Sequence, residues 1–504
     1  MFEVGLEAMQ LIIQPERLLW MFLGIAVGLV IGILPGLGGT VGMSILLPFV
    51  FGMDPFTGIA LLIGMAAVVH TGDTFPSVLI GVPGSSGSQA TIMDGYPLAQ
   101  QGQAGRALGA AFAASAIGGV VGAIALFAVV GVARPLILAL GNPELFALAV
   151  LGLSMVAVLS QGSPAAGVVS GFSGMLFGFV GIAAAASQFR YTFDIVYLYD
   201  GIPLAILAIG LFAIPEMVDL VAANRAISEK DAPDASGGRG QGVRDVWNNK
   251  RLVAQNSVMG TATGFVPGLG GSVTDWFAYG VTKKTVRDSS MFGKGDIRGV
   301  IGPEAANNAK EGGALMPALL FGIPGSGTTA ILLGGLILLG LRPGPSMIDQ
   351  NLNVTLSIAW TLALANIFGA AACLMLTKWV AKLSFVRATL LVPFLIVVMV
   401  MASYQSTRHW GDIIMFLILG AFGWVMKNIG FPRIPFLIGF VLAESTERYL
   451  HLSMSLHGYT WLSRPIVVIV GIAVIILVFG TQSRVTYKSL RARGKPAVDE
   501  QPPR

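Results

Sequence analysis

Cysteine, histidine and charge are all scarce in this 504-residue chain. Its one cysteine, Cys373, excludes an internal disulfide and any cysteine-ligated metal cluster. Four scattered histidines, His70, His409, His451 and His457, show no metal-ligand spacing, so neither a transition-metal site nor a cofactor is expected. Charged residues make up 11%, against roughly a quarter in soluble domains. The net charge of +5 lies in short loops between apolar runs, which argues against a nucleic-acid-binding face and reads instead as a topology signal. Between Leu18 and Gly105 there is neither lysine nor arginine. Nothing basic precedes Arg17, so no cleavable signal peptide is expected.

What the chain has in place of charge is apolar length and glycine. It is 54% hydrophobic, and runs long enough to cross a bilayer lie at 107–132, 143–160, 164–188, 201–222, 355–376, 388–404 and 463–480. Roughly ten to twelve crossings are expected at about 20 residues each. The 66 glycines suit close helix packing in lipid.

Two phrases are written twice. Gly32-Ile33-Leu34-Pro35-Gly36-Leu37-Gly38-Gly39-Thr40 returns 232 residues later as Gly264-Phe265-Val266-Pro267-Gly268-Leu269-Gly270-Gly271-Ser272. Val82-Pro83-Gly84-Ser85 returns 241 residues later as Ile323-Pro324-Gly325-Ser326. The nine-residue difference falls in the polar stretch Lys283 to Arg298. Proline removes a backbone donor and glycine admits conformations closed to other residues, so Pro35, Pro83, Pro267 and Pro324 mark helix breaks. Thr40 and Ser272 are expected to cap the helices that resume. Unwound backbone inside a membrane is tolerated only where protein buries it or water meets it, and paired breaks in corresponding halves point to a transport site. A phosphate loop is excluded, because Gly-Leu-Gly-Gly lacks a following Gly-Lys-Ser/Thr.

The expected fold is therefore all-α and polytopic, with two inverted repeats carrying discontinuous helices and re-entrant Pro-Gly breaks. Residues 1–222 form the first transmembrane repeat, 223–250 a cytoplasmic polar linker, 251–462 the second repeat, and 463–504 a terminal helix and basic tail. Arg225, Lys230, Arg239, Arg244 and Lys250 place the linker inside, and Arg484, Lys488, Arg491 and Arg493 do the same for the C-terminus. Glu3 and Glu7 place the N-terminus outside. An odd number of crossings in the first half then inverts the second.

The expected substrate-binding groups are the backbone at Gly38, Gly39, Gly270 and Gly271, with the hydroxyls of Ser85, Ser86, Ser326, Thr328 and Thr329. Helix N-termini there present N–H groups to an anion. With no basic residue near the first pair of breaks, dipoles, hydroxyls and bound cations are expected to hold that anion. Acidic groups near the breaks are Asp54, Asp73, Asp94, Asp275, Glu304 and Glu311. A mid-membrane carboxylate costs roughly 3 kcal/mol, which makes Asp73 and Asp275 candidates for cation coupling. Asn307 and Asn308 join them as cation ligands or their neighbours.

At these phrases the chain resembles the large membrane subunit of tripartite tricarboxylate transporters. The resemblance rests on Pro35–Gly39, Val82–Ser85, Asp94-Gly95-Tyr96-Pro97, Pro267–Gly271, Pro303-Glu304-Ala305-Ala306-Asn307-Asn308-Ala309 and Gly322–Ser326, and runs from about residue 17 to 445. It departs from the family pattern at Thr71-Gly72-Asp73 and at Gly81. The resemblance implies a bacterial inner-membrane carrier of organic carboxylates with an elevator-type movement. It also implies a small membrane subunit and a periplasmic solute-binding protein; elevator-type relatives commonly form homodimers, and the sequence leaves the oligomeric state open. Bringing a trianion into a negative interior costs roughly 7 kcal/mol at 100 mV, which coupled cations must offset. Sodium is the first choice of ion; protons, through Asp73, Asp275 or Glu304, are the alternative. Two rivals are weaker. An intramembrane enzyme using Asp73 and Asp275 would leave the duplicated glycine phrases unexplained, and a channel or scaffold subunit would not accumulate a solute against its gradient.

Overall fold

A computed structural model describes residues 2–478 except 35, 160–162, 184–185, 187, 224–236 and 384–387. The first half holds α1 (Phe2–Ile12), α2 (Pro15–Ile33), α3 (Gly38–Leu46), α4 (Pro55–Gly72), α5 (Thr74–Leu79), α6 (Gln89–Gln100), α7 (Ala104–Leu138), α8 (Asn142–Leu159) and α9 (Pro164–Gly178). A short antiparallel pair follows, β1 (Gly181–Ile182) and β2 (Phe189–Arg190), with Gly181 opposite Arg190. Helices α10 (Leu204–Ala208) and α11 (Ile214–Ala223) are joined by a π turn over Ile209–Ala213. The second half holds α12 (Arg239–Asn248), α13 (Lys250–Phe265), α14 (Gly270–Thr285), α15 (Arg298–Phe321), α16 (Gly327–Leu338), α17 (Leu352–Leu383), α18 (Ala388–Thr407), α19 (Trp410–Asn428) and α20 (Arg433–His457). A last helix, α21 (Pro465–Val478), bends 74° away from the one before it.

Among the described residues, seven helices are long and apolar enough to cross a membrane, or eight if the bent pair is one span. That is fewer than the expected ten to twelve, because four further apolar helices (Gly38–Val50, Pro164–Gly178, Gly327–Leu338 and Val392–Thr407) are only 10–17 residues long. The Pro-Gly breaks are what leave Gly38–Val50 and Gly327–Leu338 short. The apolar run 164–188 is not one helix: it ends at Gly178, and the chain turns into the β pair through Gly181. There φ is +107° and a side chain would meet the backbone of Gly201. The apolar run from 463 becomes helical only at Pro465, after a 3₁₀ turn over Gly458–Ser463.

Two helices form the centre. α4 is buried from Thr57 to Gly72, and α15 from Gly299 to Leu320. α15 carries Glu304, Lys310 and Glu311, which stay out of lipid because α6, α7, α13 and α14 surround the helix. Small residues let the backbones approach. Gly24, Gly28 and Gly32 of α2 sit against Leu61, Met65 and Val69 of α4, and Gly260 and Gly264 of α13 sit against Ala306 and Lys310 of α15. These glycine stripes keep the 232-residue offset, and their partners keep the 241-residue one. Of the expected linker, 224–236 lies outside the described residues, as does the basic tail beyond 478. Part of the remainder forms α12, where Gly242 packs on α7 and Arg106 Nε bonds Asp245 Oδ2 at 2.6 Å.

Candidate functional site

Each half breaks twice, in the same way. α2 ends at Ile33, Leu34 is extended, and Gly36 (φ +87°) donates its N–H to the Gly84 carbonyl at 3.1 Å. In the second half α13 ends at Phe265, Val266 is extended, and Gly268 (φ +87°) donates to the Gly325 carbonyl, also at 3.1 Å. The second breaks match as well: Val82 N–H bonds Pro76 O at 3.3 Å, and Ile323 N–H bonds Pro317 O at 3.1 Å. Both phrases of a half are thus tied by one backbone hydrogen bond. Pro35 lies outside the described residues; Pro83, Pro267 and Pro324 stand in the unwound segments as expected.

The helices resume three residues earlier than expected, at Gly38 and Gly270, where positive φ lets the chain turn straight into a helix. Thr40 and Ser272 therefore lie inside the first turn and do not cap it; Leu37 and Leu269 hold that position without a side-chain bond. In the second phrase Ser326 caps α16, exchanging bonds with Thr329 in a capping box. Thr329 is thereby engaged in helix structure.

The four breaks meet crosswise. A Cβ on Gly39 would lie 3.0 Å from Thr328 Oγ1, and one on Gly271 would lie 3.3 Å from the Gly87 Cα. Gly327 faces Thr40, and Gly38 faces Ser85 within its own half. Gly38, Gly39, Ser85, Gly271, Ser326 and Thr328 are brought to one region; Ser86 is exposed on its edge.

Beneath this meeting point lies a buried polar cluster. Asp73, at the α4–α5 junction, is fully buried; its Oδ2 accepts from Ser85 Oγ and lies 3.3 Å from His70 Nδ1, while Oδ1 has no partner among the described residues. His70 Nε2 lies 3.1 Å from Glu311 Oε1, which also receives Lys310 Nζ at 2.9 Å. Asn307 is 1% exposed, and neither atom of its amide has a partner among the described residues. A Cβ on Gly87 would lie 2.7 Å from its Oδ1.

The remaining acidic and amide groups near the breaks also make structural contacts, although among the described residues Asp275 Oδ1 and Asn308 Oδ1 have no partner. Asp275 is fully buried, and its Oδ2 accepts the Ala90 N–H at 2.6 Å, holding the start of α6; among the described residues its Oδ1 has no partner. Asn308 bonds Thr71 Oγ1 at 3.0 Å and Asn366 Oδ1 at 2.8 Å, linking α15 to α4 and α17. Asp54 caps α4 from a half-exposed position.

Asp94 organises the extra residues of the second half. Its Oδ1 accepts the N–H groups of Gly293, Gly295 and Asp296 at 2.8–2.9 Å, and Oδ2 accepts Tyr279 Oη at 2.9 Å. Asp94→Ala strands those donors, and we expect it to cost about 3 kcal/mol, with Asp94→Asn losing about half as much. Thermal unfolding of the purified variants checks this; equal melting of Asp94→Ala and wild type would refute it.

Lys310 and the His70–Glu311 pair were not among the expected site residues. His70 and Glu311 stand at the same 241-residue offset as the phrases themselves, a signal present in the sequence.

The arrangement defines a class: an all-α polytopic membrane protein whose broken helices from two halves converge on a buried polar site. The chain matches the tripartite tricarboxylate transporter TctA family over residues 18–438, and it belongs to that family. It is 30% identical over 449 residues to the "Uncharacterized 52.8 kDa protein in TAR-I ttuC' 3'region" of Agrobacterium vitis, covering 88% of each chain. It is also 29% identical over 195 residues to the "Uncharacterized protein in TAR-II ttuC' 3'region" of the same organism, covering 39% of this chain and 81% of that one. No solved structure matches.

Proposed function

We propose that this chain is the translocating subunit of a binding-protein-dependent secondary carrier that imports organic di- or tricarboxylates, with sodium as the coupling ion. Its partners are a small membrane subunit and a periplasmic solute-binding protein, and its membrane is the bacterial inner membrane. The observation that carries this reading is the crosswise meeting of four helix breaks. Gly39 faces Thr328 while Gly271 faces Gly87, and each of these pairs becomes the other under the offsets of 232 and 241. Such an exchange is what a two-fold relation between halves produces. With the N-terminus outside and the linker inside, that relation is an inverted repeat.

Substrate meets Gly38, Gly39, Ser85, Gly270, Gly271, Ser326 and Thr328, where backbone N–H groups and hydroxyls take a carboxylate. The cation sits near Asp73 and Asn307, whose unpartnered oxygens are hard ligands suited to sodium. The backbone bonds Gly36–Gly84 and Gly268–Gly325 tie the breaks within each half, and the crosswise contacts join the halves. An elevator-type movement carries them together. A proton-coupled carrier is the second reading, favoured by the buried His70–Glu311 contact.

The test is uptake of labelled mono-, di- and tricarboxylates into proteoliposomes holding the chain with its small subunit, with and without the binding protein. Accumulation of a di- or tricarboxylate that needs both a sodium gradient and the binding protein is the expected result. Accumulation that follows a pH gradient and ignores sodium would select the proton reading. No accumulation by folded protein would overturn the carrier.

A further inference from the structure

The first half brings no cation to the breaks, yet one stands there. Lys310, 5% exposed, comes from the centre of α15, and a Cβ on Gly271 would lie 3.1 Å from its Nζ. The same hypothetical atom would lie 3.3 Å from the Gly87 Cα, so the ammonium sits where the Gly87 and Gly271 segments face one another. Asn307, one turn earlier on the same face of α15, also reaches Gly87, with both amide atoms buried and, among the described residues, unpartnered. An ammonium has three donors, and among the described residues Glu311 Oε1 is its one acceptor. Glu311 does not depend on it alone, because His70 Nε2 holds the same oxygen.

We infer that Lys310 and Asn307 together bind a carboxylate group of the transported substrate at the contact between the Gly87 and Gly271 segments. This rests on the carrier reading and names the positive charge which that reading otherwise lacks. The ammonium supplies the charge, the Asn307 Nδ2 supplies a second donor, and Glu311 with His70 holds the lysine in place. Helix dipoles alone would distinguish poorly between a carboxylate and a neutral polar group; a buried lysine makes charge the criterion.

Lys310→Gln by itself disturbs the ion pair, so the informative protein is the charge-neutral double variant Lys310→Gln/Glu311→Gln, compared with Lys310→Arg. The assay uses the complete complex in proteoliposomes and the carboxylate that wild type accumulates best, with melting temperature measured beside it. A lost charge-assisted bond raises KM by about fiftyfold. The double variant is expected to melt close to wild type, to show that rise in KM and to lose the thermal shift that substrate gives wild type. Lys310→Arg is expected to keep KM within about tenfold. A double variant that regains wild-type KM would make the lysine a structural partner of Glu311 and overturn the inference, leaving the carrier intact. Absence of carboxylate uptake by the wild-type complex would overturn both.

Discussion

Gly84→Ala is expected to abolish uptake, while Gly325→Ala at the matching position of the second half is expected to preserve most of it. The two glycines have the same neighbours in sequence, and both accept one backbone hydrogen bond, from Gly36 and Gly268 respectively. They differ in what a methyl group would meet. At Gly84 it would lie 2.5 Å from Asp73 Cβ, 2.6 Å from its Cα and 2.8 Å from its carbonyl oxygen, so the α4–α5 junction itself has to move. At Gly325 the nearest atom is Ala314 Cβ at 3.2 Å, which a shift of a few tenths of an ångström relieves. Overpacking of the first kind costs about 1–3 kcal/mol. Its functional effect is larger, because Asp73 is displaced from Ser85 and the Gly36–Gly84 tie is strained. Misplacing a binding group by about 1 Å lowers rates roughly a hundredfold. Initial uptake rates of the two variants, normalised to inserted protein, decide the matter. Similar losses at both positions would show that the halves respond alike and that Asp73 confers no special constraint.

Glu304→Ala is expected to prevent stable folding, and Glu304→Gln to restore both folding and transport. Glu304 is 1% exposed, and its carboxylate accepts three hydroxyls: Thr74 Oγ1 at 3.0 Å, Thr91 Oγ1 at 2.8 Å and Ser115 Oγ at 2.9 Å. These donors stand on α5, α6 and α7, so one side chain of the second half gathers three helices of the first. Alanine leaves three buried hydroxyls without an acceptor and a cavity besides, a loss of about 3–5 kcal/mol. Glutamine keeps the shape, and the hydroxyls can rotate to accept from its amide, so about 1 kcal/mol is lost. Membrane yield and melting temperature report the first effect, and uptake reports the second. A glutamine variant that folds normally but no longer transports under a pH gradient would refute this structural assignment and make Glu304 a proton carrier.

The breaks were legible because they are written in residues with hard backbone consequences. Gly36, Gly268, Gly81 and Gly322 all adopt positive φ, and the repeat of their phrases tells the reader that they matter twice. Membrane residence followed from apolar length, which needs no tertiary information. The charged cluster was less legible. His70 reads as a scattered histidine and nothing in the sequence singles out Lys310, because their meeting at Glu311 depends on α4 and α15 lying side by side. Asp275 is expected near the coupling site, and the bond from one of its oxygens to the Ala90 amide is not; the start of a helix 185 residues away cannot be seen from its own neighbours. Asp94 carries the same lesson, since the loop amides it gathers lie in the stretch that has no counterpart in the first half.

The crosswise contacts also bear on ancestry. Gly39 of the first half is completed by Thr328 of the second, and Gly271 of the second by Gly87 of the first. A single, unduplicated precursor would have presented both sides of this contact and been able to satisfy neither within itself. It could have assembled the four-break centre only as a pair of identical chains. The two halves are no longer equivalent at this centre: one carries Asp73 and the other, at the matching position, Ala314.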